Sequence, residues 1–495
     1  MATVRRGVRS TASVCCRAET LHSVKVRQTC QLLFILFFVF FVSSTVRVSA
    51  GEYFFRADAL TVPFAAIASL SWSSSLLFCA VLIATTVAWG RVFCGYVCPM
   101  GTMGDLLDKM FSFKSRYSAA GAFKYHLLLA LAMLSCGGAT FFWLFDPLNW
   151  SSRIGGGFAP RYVEYHWLFV LAVALLALHA IFGRRAFCRV LCPLGAALGV
   201  VSKLGLFKRE FIEPDCIDCD LCVKQCRTGA IVERPETYDP MECVHCGHCV
   251  DVCPTDALEF HYTSTHLPAP PQPPRRAFLL TAGLAAIAML GLRPLRAAHA
   301  AMRPVIRPPG SVPEDRFINL CIRCGSCSRV CPTSTLIPAG LESGLLAYQA
   351  PVFDPDVGGC LHDCNLCGAV CPTGAIEELS LGNKQGLQIG VASIHQTRCL
   401  AIGKNQPCLS CVAACPFEAV FLVGVDITSE WGDSLGHPRV VEDRCVGCAL
   451  CQVACPVEGE AAITVAAIAP QKPLPPLPNR RRVFEPGVSE LFRLP

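Results

Sequence analysis

Twenty-four of the 33 cysteines in this 495-residue chain fall into six compact groups, and their spacing is that of metal ligands. Three groups repeat C-x2-C-x2-C-x3-C-P: Cys243, Cys246, Cys249, Cys253; Cys321, Cys324, Cys327, Cys331; and Cys445, Cys448, Cys451, Cys455. A fourth, Cys216, Cys219, Cys222, Cys226, keeps the spacing but has Arg227 in place of the proline. A fifth, Cys360, Cys364, Cys367, Cys371, widens one gap; the sixth, Cys399, Cys408, Cys411, Cys415, widens it further. Three thiolates two residues apart can wrap one [4Fe–4S] cube from a tight turn. The fourth sits too far along and ligates a partner cluster. The expectation is six [4Fe–4S] clusters in pairs that exchange their last cysteine. Structural zinc also takes four thiolates, but six such units, five ending in Cys-Pro, favour iron–sulfur.

Two shorter motifs stand apart. "GRVFCGYVCPMG" (90–101) and "RRAFCRVLCPLG" (184–195) share R-x-F-C-x3-C-P-x-G. Cysteines at i and i+4 share a helix face, so Cys94, Cys98, Cys188 and Cys192 can converge. They read as a further Fe–S site or as a dithiol redox pair; the plain alternative is packing of two short turns.

The elements that must position these cysteines differ along the chain. The composition is 53% hydrophobic and 16% charged, with a mean hydropathy of +0.46, which fits a membrane protein and excludes disorder. Apolar stretches at 30–48, 72–90, 125–145 and 165–183 predict four membrane helices. Lys and Arg are concentrated in 1–30, 91–124 and 184–209, which places those segments in the cytoplasm. The fold class expected is an α-helical membrane domain with α+β bacterial-type ferredoxin domains. Its divisions are 1–29, a basic cytoplasmic segment; 30–210, the four-helix membrane domain; 211–261, a two-cluster ferredoxin domain in the cytoplasm; 262–300, a Pro-rich linker with a twin-arginine-like signal or fifth helix; 301–468, a four-cluster ferredoxin domain in the periplasm; and 469–495, a Pro/Arg-rich tail. The net charge of +6 is modest, and no nucleic-acid partner is expected. No Gly-rich dinucleotide fingerprint follows a strand.

The membrane half, with its two C-x3-C-P motifs and the motif pair at 216–253, resembles the NapH/MauN-type membrane ferredoxins. The distal half, with "INLCIRCGSCSRVCP" and "RCVGCALCQVACPVEGEAAI", resembles the MauM/NapG-type periplasmic ferredoxins. The resemblance implies a fusion of the two in the bacterial inner membrane. It implies electrons drawn from the quinone pool, with quinol as substrate, and passed through the clusters to a periplasmic reductase or a cytochrome c-type acceptor. Maturation of a periplasmic enzyme and redox sensing are the alternatives. His179 and Asp146 are the candidate residues for a quinol site, with His126 and His166 behind them, because ionisable groups among apolar helices are functional by default. By analogy with four-cluster electron-transfer subunits, the motif at 321–331 would pair with that at 445–455 and the motif at 360–371 with that at 399–415. Cys331 would then close the Cys445/448/451 cube, Cys455 the Cys321/324/327 cube, and Cys371 that of Cys399/408/411.

Overall fold

The computed structural model describes residues 24–43, 55–69, 74–111, 119–156, 165–231, 234–262, 275–300, 304–423 and 436–474. The expected segment 1–29 lies mostly outside these residues, as do most of the Pro-rich linker and most of the tail. The longer helices are α1 (Val24–Ser43), α2 (Thr61–Ser69), α3 (Ser75–Trp89), α4 (Pro99–Phe111), α5 (Phe123–Cys136), α6 (Pro147–Gly156), α7 (Tyr165–Phe182), α8 (Pro193–Ser202) and α9 (Arg275–Ala300).

The apolar runs form helices, but the expectation of four or five membrane spans is corrected. Among the described residues no helix is long and apolar enough to cross a membrane. A span needs about 20 consecutive apolar residues. Helices α3 and α5 have 15 and 14 residues. Helix α1 carries Lys25, Arg27 and Gln31 before its apolar part begins. Helix α7 is interrupted by His166 and His179, and α9 is apolar only between Arg276 and Arg293. The helical membrane domain and the multi-pass inner-membrane localisation with its assigned sides are therefore not supported. The helices instead pack as a bundle around Leu60, Met100, Leu131, Phe142, Leu175 and Phe187. Helices α1 and α9 leave large apolar side chains outside, Leu33 and Leu279 among them.

The cysteine motifs lie in three copies of one frame. In the first, β1 (Phe207–Phe211) and β2 (Leu258–Tyr262) pair antiparallel, with Phe207 opposite Tyr262. Between them lie two motifs and a small inner bridge, Ile231 to Tyr238. In the second frame the outer closure is the antiparallel bridge of Ser311 to Ile376. Its inner hairpin is β3 (Leu336–Pro338) with β4 (Pro351–Phe353). In the third, β5 (Leu387–Ile394) pairs with β8 (Ile463–Pro473), enclosing β6 (Val420–Val423) and β7 (His437–Val440). Strand β8 runs to Pro473, so the distal domain ends later than the expected 468.

Each frame encloses two motifs that are neighbours in sequence, because the strands that close it flank them. The distal pairing by analogy is thereby corrected: the motif at 321–331 joins that at 360–371, and the motif at 399–415 joins that at 445–455.

Candidate metal centres and the path between them

The regular motifs share a backbone signature. In C-x2-C-x2-C the residue before the second cysteine and the residue after it both have positive φ. The pairs are Asp218 (50°) and Asp220 (55°), His245 (51°) and Gly247 (76°), Arg323 (55°) and Gly325 (72°), and Gly447 (78°) and Ala449 (60°). Non-glycine residues rarely adopt this region. Such left-handed turns aim successive backbone N–H groups inward and make a concavity for an anion. The two motifs with widened gaps lack the paired signature, as their insertions change the turn.

Thiol placement gives the partners. Cys399, Cys408, Cys411 and Cys455 line one pocket with Ile394 and Ile463. Cys415, Cys445, Cys448 and Cys451 line another. In the first two frames burial is the main reason Cys243, Cys246, Cys249, Cys321, Cys327 and Cys367 are pushed up in pKa, and charge on neighbouring thiols adds to it; those neighbours reveal the other groups. Cys321 and Cys327 feel Cys371, while Cys367 feels Cys331, Cys360 and Cys364. Cys243, Cys246 and Cys249 all feel Cys226. Cys243 and Cys448 are each pushed up to about 12. Such thiols ionise only if a cation or hydrogen bonds offset the burial. Backbone N–H groups point at several sulfurs: Ala257 N donates to Cys253 Sγ (3.3 Å), Ile376 N to Cys371 (3.4 Å), Ala392 N to Cys445 (3.4 Å) and Ala419 N to Cys415 (3.3 Å). Soft donors converging on one pocket and N–H···S bonds suit an iron–sulfur cluster. Among the described residues no group of three or more His, Cys, Asp or Glu side chains has the geometry of a single-ion site.

The bundle lies between the first frame and the other two. At one end of α3, Gly90 lies against His245, and Leu206 N bonds Val87 O at 2.9 Å. At the other, Ser75 Oγ donates to Pro372 O beside Cys371. Fifteen helical residues separate these ends by about 22 Å. The distal side packs Ile322 and Cys324 against Phe55, Ala65 and Leu148, with Phe93 at the edge. Arg323 stacks on Trp143 at 4.6 Å.

The first frame is held by buried charge. Asp105 accepts from Arg185 Nε and Nη2 (both 2.7 Å), Arg27 Nη1 (2.9 Å) and Gln31 Nε2 (2.9 Å). Arg227 Nη1 lies 2.9 Å from the same carboxylate. Burial alone would raise the Asp105 pKa; Arg185, Arg227 and Arg27 overrule it and hold the carboxyl well below its usual range. Glu242 accepts from Lys124 Nζ (2.6 Å) and Tyr125 Oη (2.9 Å), and Arg91 donates to Met241 O. The residue that replaces proline after Cys226 is thus an anchor. Sequence reasoning singled out neither Asp105 nor Glu242. The one available signal was an aspartate in an otherwise small and apolar run, "PMGTMGDLL".

The four remaining paired cysteines do converge. Cys94, Cys98, Cys188 and Cys192 line one pocket with Arg91 and Arg185. Each motif forms a π-helical turn, Phe93–Val97 and Phe187–Leu191, followed by a helix that starts at the Cys-Pro proline. The histidines and Asp146 are placed separately. Asp146 caps α6 by accepting from Asn149 N at 2.7 Å. His179 is buried, its Nδ1 2.8 Å from Leu175 O. His126 Nδ1 meets Thr281 Oγ1 at 3.0 Å. The side chain of His166 lies outside the described residues.

Three frames closed by paired strands or a bridge, each carrying two four-cysteine motifs, define a multi-cluster ferredoxin-type protein. Family comparisons agree: a 4Fe-4S binding domain matches residues 70–118 and 165–211, and 4Fe-4S dicluster domains match 215–257, 406–459 and 242–335. The methylamine utilization ferredoxin-type protein MauM of Methylorubrum extorquens is 35% identical over 212 residues, 40% of this chain and 91% of that protein. The ferredoxin-type protein NapG of Escherichia coli K12 is 33% identical over 199 residues, 38% of this chain and 84% of that protein. The regulatory protein NosR of Pseudomonas aeruginosa is 34% identical over 161 residues, 30% of this chain but only 22% of that protein. The chain belongs to the family of MauM- and NapG-like ferredoxin-type proteins, and it transfers electrons through [4Fe–4S] clusters.

Proposed function

We propose that the chain is a linear relay of six [4Fe–4S] clusters, carrying electrons between the first frame and the distal end of the third. The ligand sets we assign are Cys216, Cys219, Cys222 with Cys253; Cys243, Cys246, Cys249 with Cys226; Cys321, Cys324, Cys327 with Cys371; Cys360, Cys364, Cys367 with Cys331; Cys445, Cys448, Cys451 with Cys415; and Cys399, Cys408, Cys411 with Cys455. The observation that carries the reading is order. In the third frame Cys455 and Cys415 each line a pocket with three cysteines of the other motif, and the two distal frames touch where Cys360 N donates to Cys448 O at 2.8 Å. A pocket lined by Cys360 and Cys448 lies at the same junction. Cys324, packed on the bundle, stands at the near end of that series, and the Cys399/408/411/455 site at the far end. One-electron carriers in single file suit conduction; a sensor needs one cluster.

The donor we propose is a hydroquinone, whose oxidation releases protons to a buried base. His179 is supported as that base by its burial beside Asp108, whose carboxyl is pushed up by burial and drawn back by His179. The acceptor is a separate redox enzyme meeting the far end; the MauM relative is named for methylamine utilization. The fusion of two ferredoxin-type modules in one chain would remove a docking step between them.

The test is Cys331→Ser in anaerobically prepared protein, read by EPR during reduction with a hydroquinone analogue. The expected result is loss of the cluster held by Cys360, Cys364 and Cys367, with the Cys321/324/327 cluster intact and electrons stalled between them. Loss of the Cys445/448/451 cluster would refute the order.

A further inference from the structure

The two distal frames differ in where they keep their positive charge. We propose that the second frame is the electron-holding station of the distal half: Arg323 and Lys384, one beside each of its two cluster sites, make its centres easier to reduce than those of the third frame. The inference rests on the ligand sets proposed above.

Position is the first argument. Arg323 is 5% exposed, in the turn between Cys321 and Cys324. Its guanidinium donates to Cys321 O (2.8 Å), Leu346 O (2.7 Å) and Tyr348 O (3.0 Å) and stacks on Trp143. Carbonyl oxygens orient the cation and leave its charge standing. Lys384 is 6% exposed. It donates to Leu361 O, next to Cys360, and lines one pocket with Cys360. The field of each cation reaches a thiol. Burial pushes Cys321 up in pKa to about 11 and raises Cys360 as well; Arg323 draws the first back and Lys384 the second.

The third frame is built the other way. Among the described residues 387–474 no lysine or arginine is buried. The position equivalent to Arg323 is Gly447, where a Cβ would collide with Gly390 of β5, so the frame excludes any side chain there. Arg398, beside Cys399, is 43% exposed and pairs with Glu460 at 2.7 Å. Burial raises the pKa of Cys445, and Cys415 and the carboxylate of Glu442 raise it further.

Reduction adds one electron, and so one negative charge, to a site. A buried cation favours that charge, and net charge is among the terms that set a cluster's potential. N–H···S bonds occur in both frames, at Cys371 and at Cys415, Cys445 and Cys455, so they do not separate the frames as two full charges do. An uncompensated buried cation is costly, and anionic thiolate clusters compensate it. No bond forms or breaks in these steps; each site gains the electron that a reduced neighbour loses. A hydroquinone, the donor proposed above, gives up two electrons in becoming a quinone. Two sites in one frame hold both, while the two protons pass to the base at the donor.

The test is an EPR-monitored redox titration of the anaerobic full-length protein, with Cys371→Ser and Cys331→Ser marking the two second-frame signals. In the wild type those signals should appear before the third frame's. Arg323→Gln should make the Cys321/324/327/371 centre harder to reduce, by roughly tenfold in its equilibrium, about 59 mV for one electron, with iron content unchanged. Lys384→Met should do the same to the Cys360/364/367/331 centre. Arg323→Lys, which keeps the charge, should hold the wild-type potential. Third-frame signals appearing first would overturn the proposal. So would an unchanged potential in Arg323→Gln at full iron, or an Arg323→Lys protein that falls as far as the glutamine variant. If the charge variants do not accumulate, the wild-type order of reduction decides. Should Cys331→Ser disturb a third-frame centre instead, the ligand sets fail, while Arg323→Gln still reads the effect of the cation beside Cys321.

Discussion

The two ends of the helical bundle hold their ferredoxin frames by opposite means. The first frame is anchored through buried ions: Asp105 with Arg27, Arg185 and Arg227, and Glu242 with Lys124 and Arg91. The distal frames are anchored through apolar side chains, a stacked arginine and a few backbone bonds. Buried ion pairs contribute little net stability but are severe when broken, because a lone charge is left behind. They also fix orientation, since bidentate arginine–carboxylate bonds tolerate little displacement. The end that must align thiols from both the bundle and the first frame is the end built from ions. The apolar end has only to keep Cys324 and its neighbours close.

The largest expected break is at the ionic end. Asp105→Ala removes the carboxylate that joins three arginines and should cost about 3–5 kcal/mol, seen in denaturant unfolding. Its folded pKa lies below the unfolded value of about 3.9, so its stabilisation is complete above that pH and is lost as pH falls beneath it. The penalty of Asp105→Ala should therefore be flat between pH 5 and 8. A penalty that grew with rising pH through that window would contradict the pairing.

At the apolar end, Trp143→Ala removes a buried ring that stacks on Arg323 and meets Tyr348 at 6.3 Å. Truncating a buried aromatic costs about 3 kcal/mol or somewhat more. The loss should loosen the distal frames from the bundle while the first frame keeps its protease resistance. Equal loosening at both ends would show that the ends are not independent.

Arg227→Pro sharpens the contrast, since it restores the proline of the other five motifs. It removes the 2.9 Å ion pair with Asp105 and the 3.0 Å contact of Nη2 with His248 Nε2. Charged hydrogen bonds contribute about 1.5–3 kcal/mol, so the substitution should destabilise by about 2 kcal/mol. A gain in stability would mean the arginine is tolerated and not an anchor.

Much of the local chemistry was legible in the cysteine spacing, because the first three cysteines of each motif stand within a short run of the chain. The convergence of Cys94 and Cys98 with Cys188 and Cys192 was legible as a repeat. Partner choice was not. Which motif closes with which depends on strands such as β5 and β8, which hold no cysteine and whose partners run from Ile394–Ile463 to Leu387–Pro473, far apart in the chain. The apolar runs were legible as helices but their reach was not, since capping prolines, π-turns and embedded arginines cut them short. Asp146 reads as a candidate for proton chemistry in sequence and turns out to cap a helix. Asp105 draws no attention in the sequence and turns out to be buried. In each case the decisive neighbour lies elsewhere in the chain.

The smallest effect belongs to a single hydroxyl. Ser75 Oγ donates to Pro372 O, joining the start of α3 to the residue after Cys371. Ser75→Ala leaves a buried carbonyl without that donor and should cost about 1 kcal/mol. No thiol moves, so iron content should be unchanged. Because the apolar end has other contacts to Cys324, the distal frames should stay docked, with only slightly faster amide exchange around 372–376. If this one substitution released them, the apolar surface would be incidental and the distal end would depend on directional bonds after all, like its counterpart.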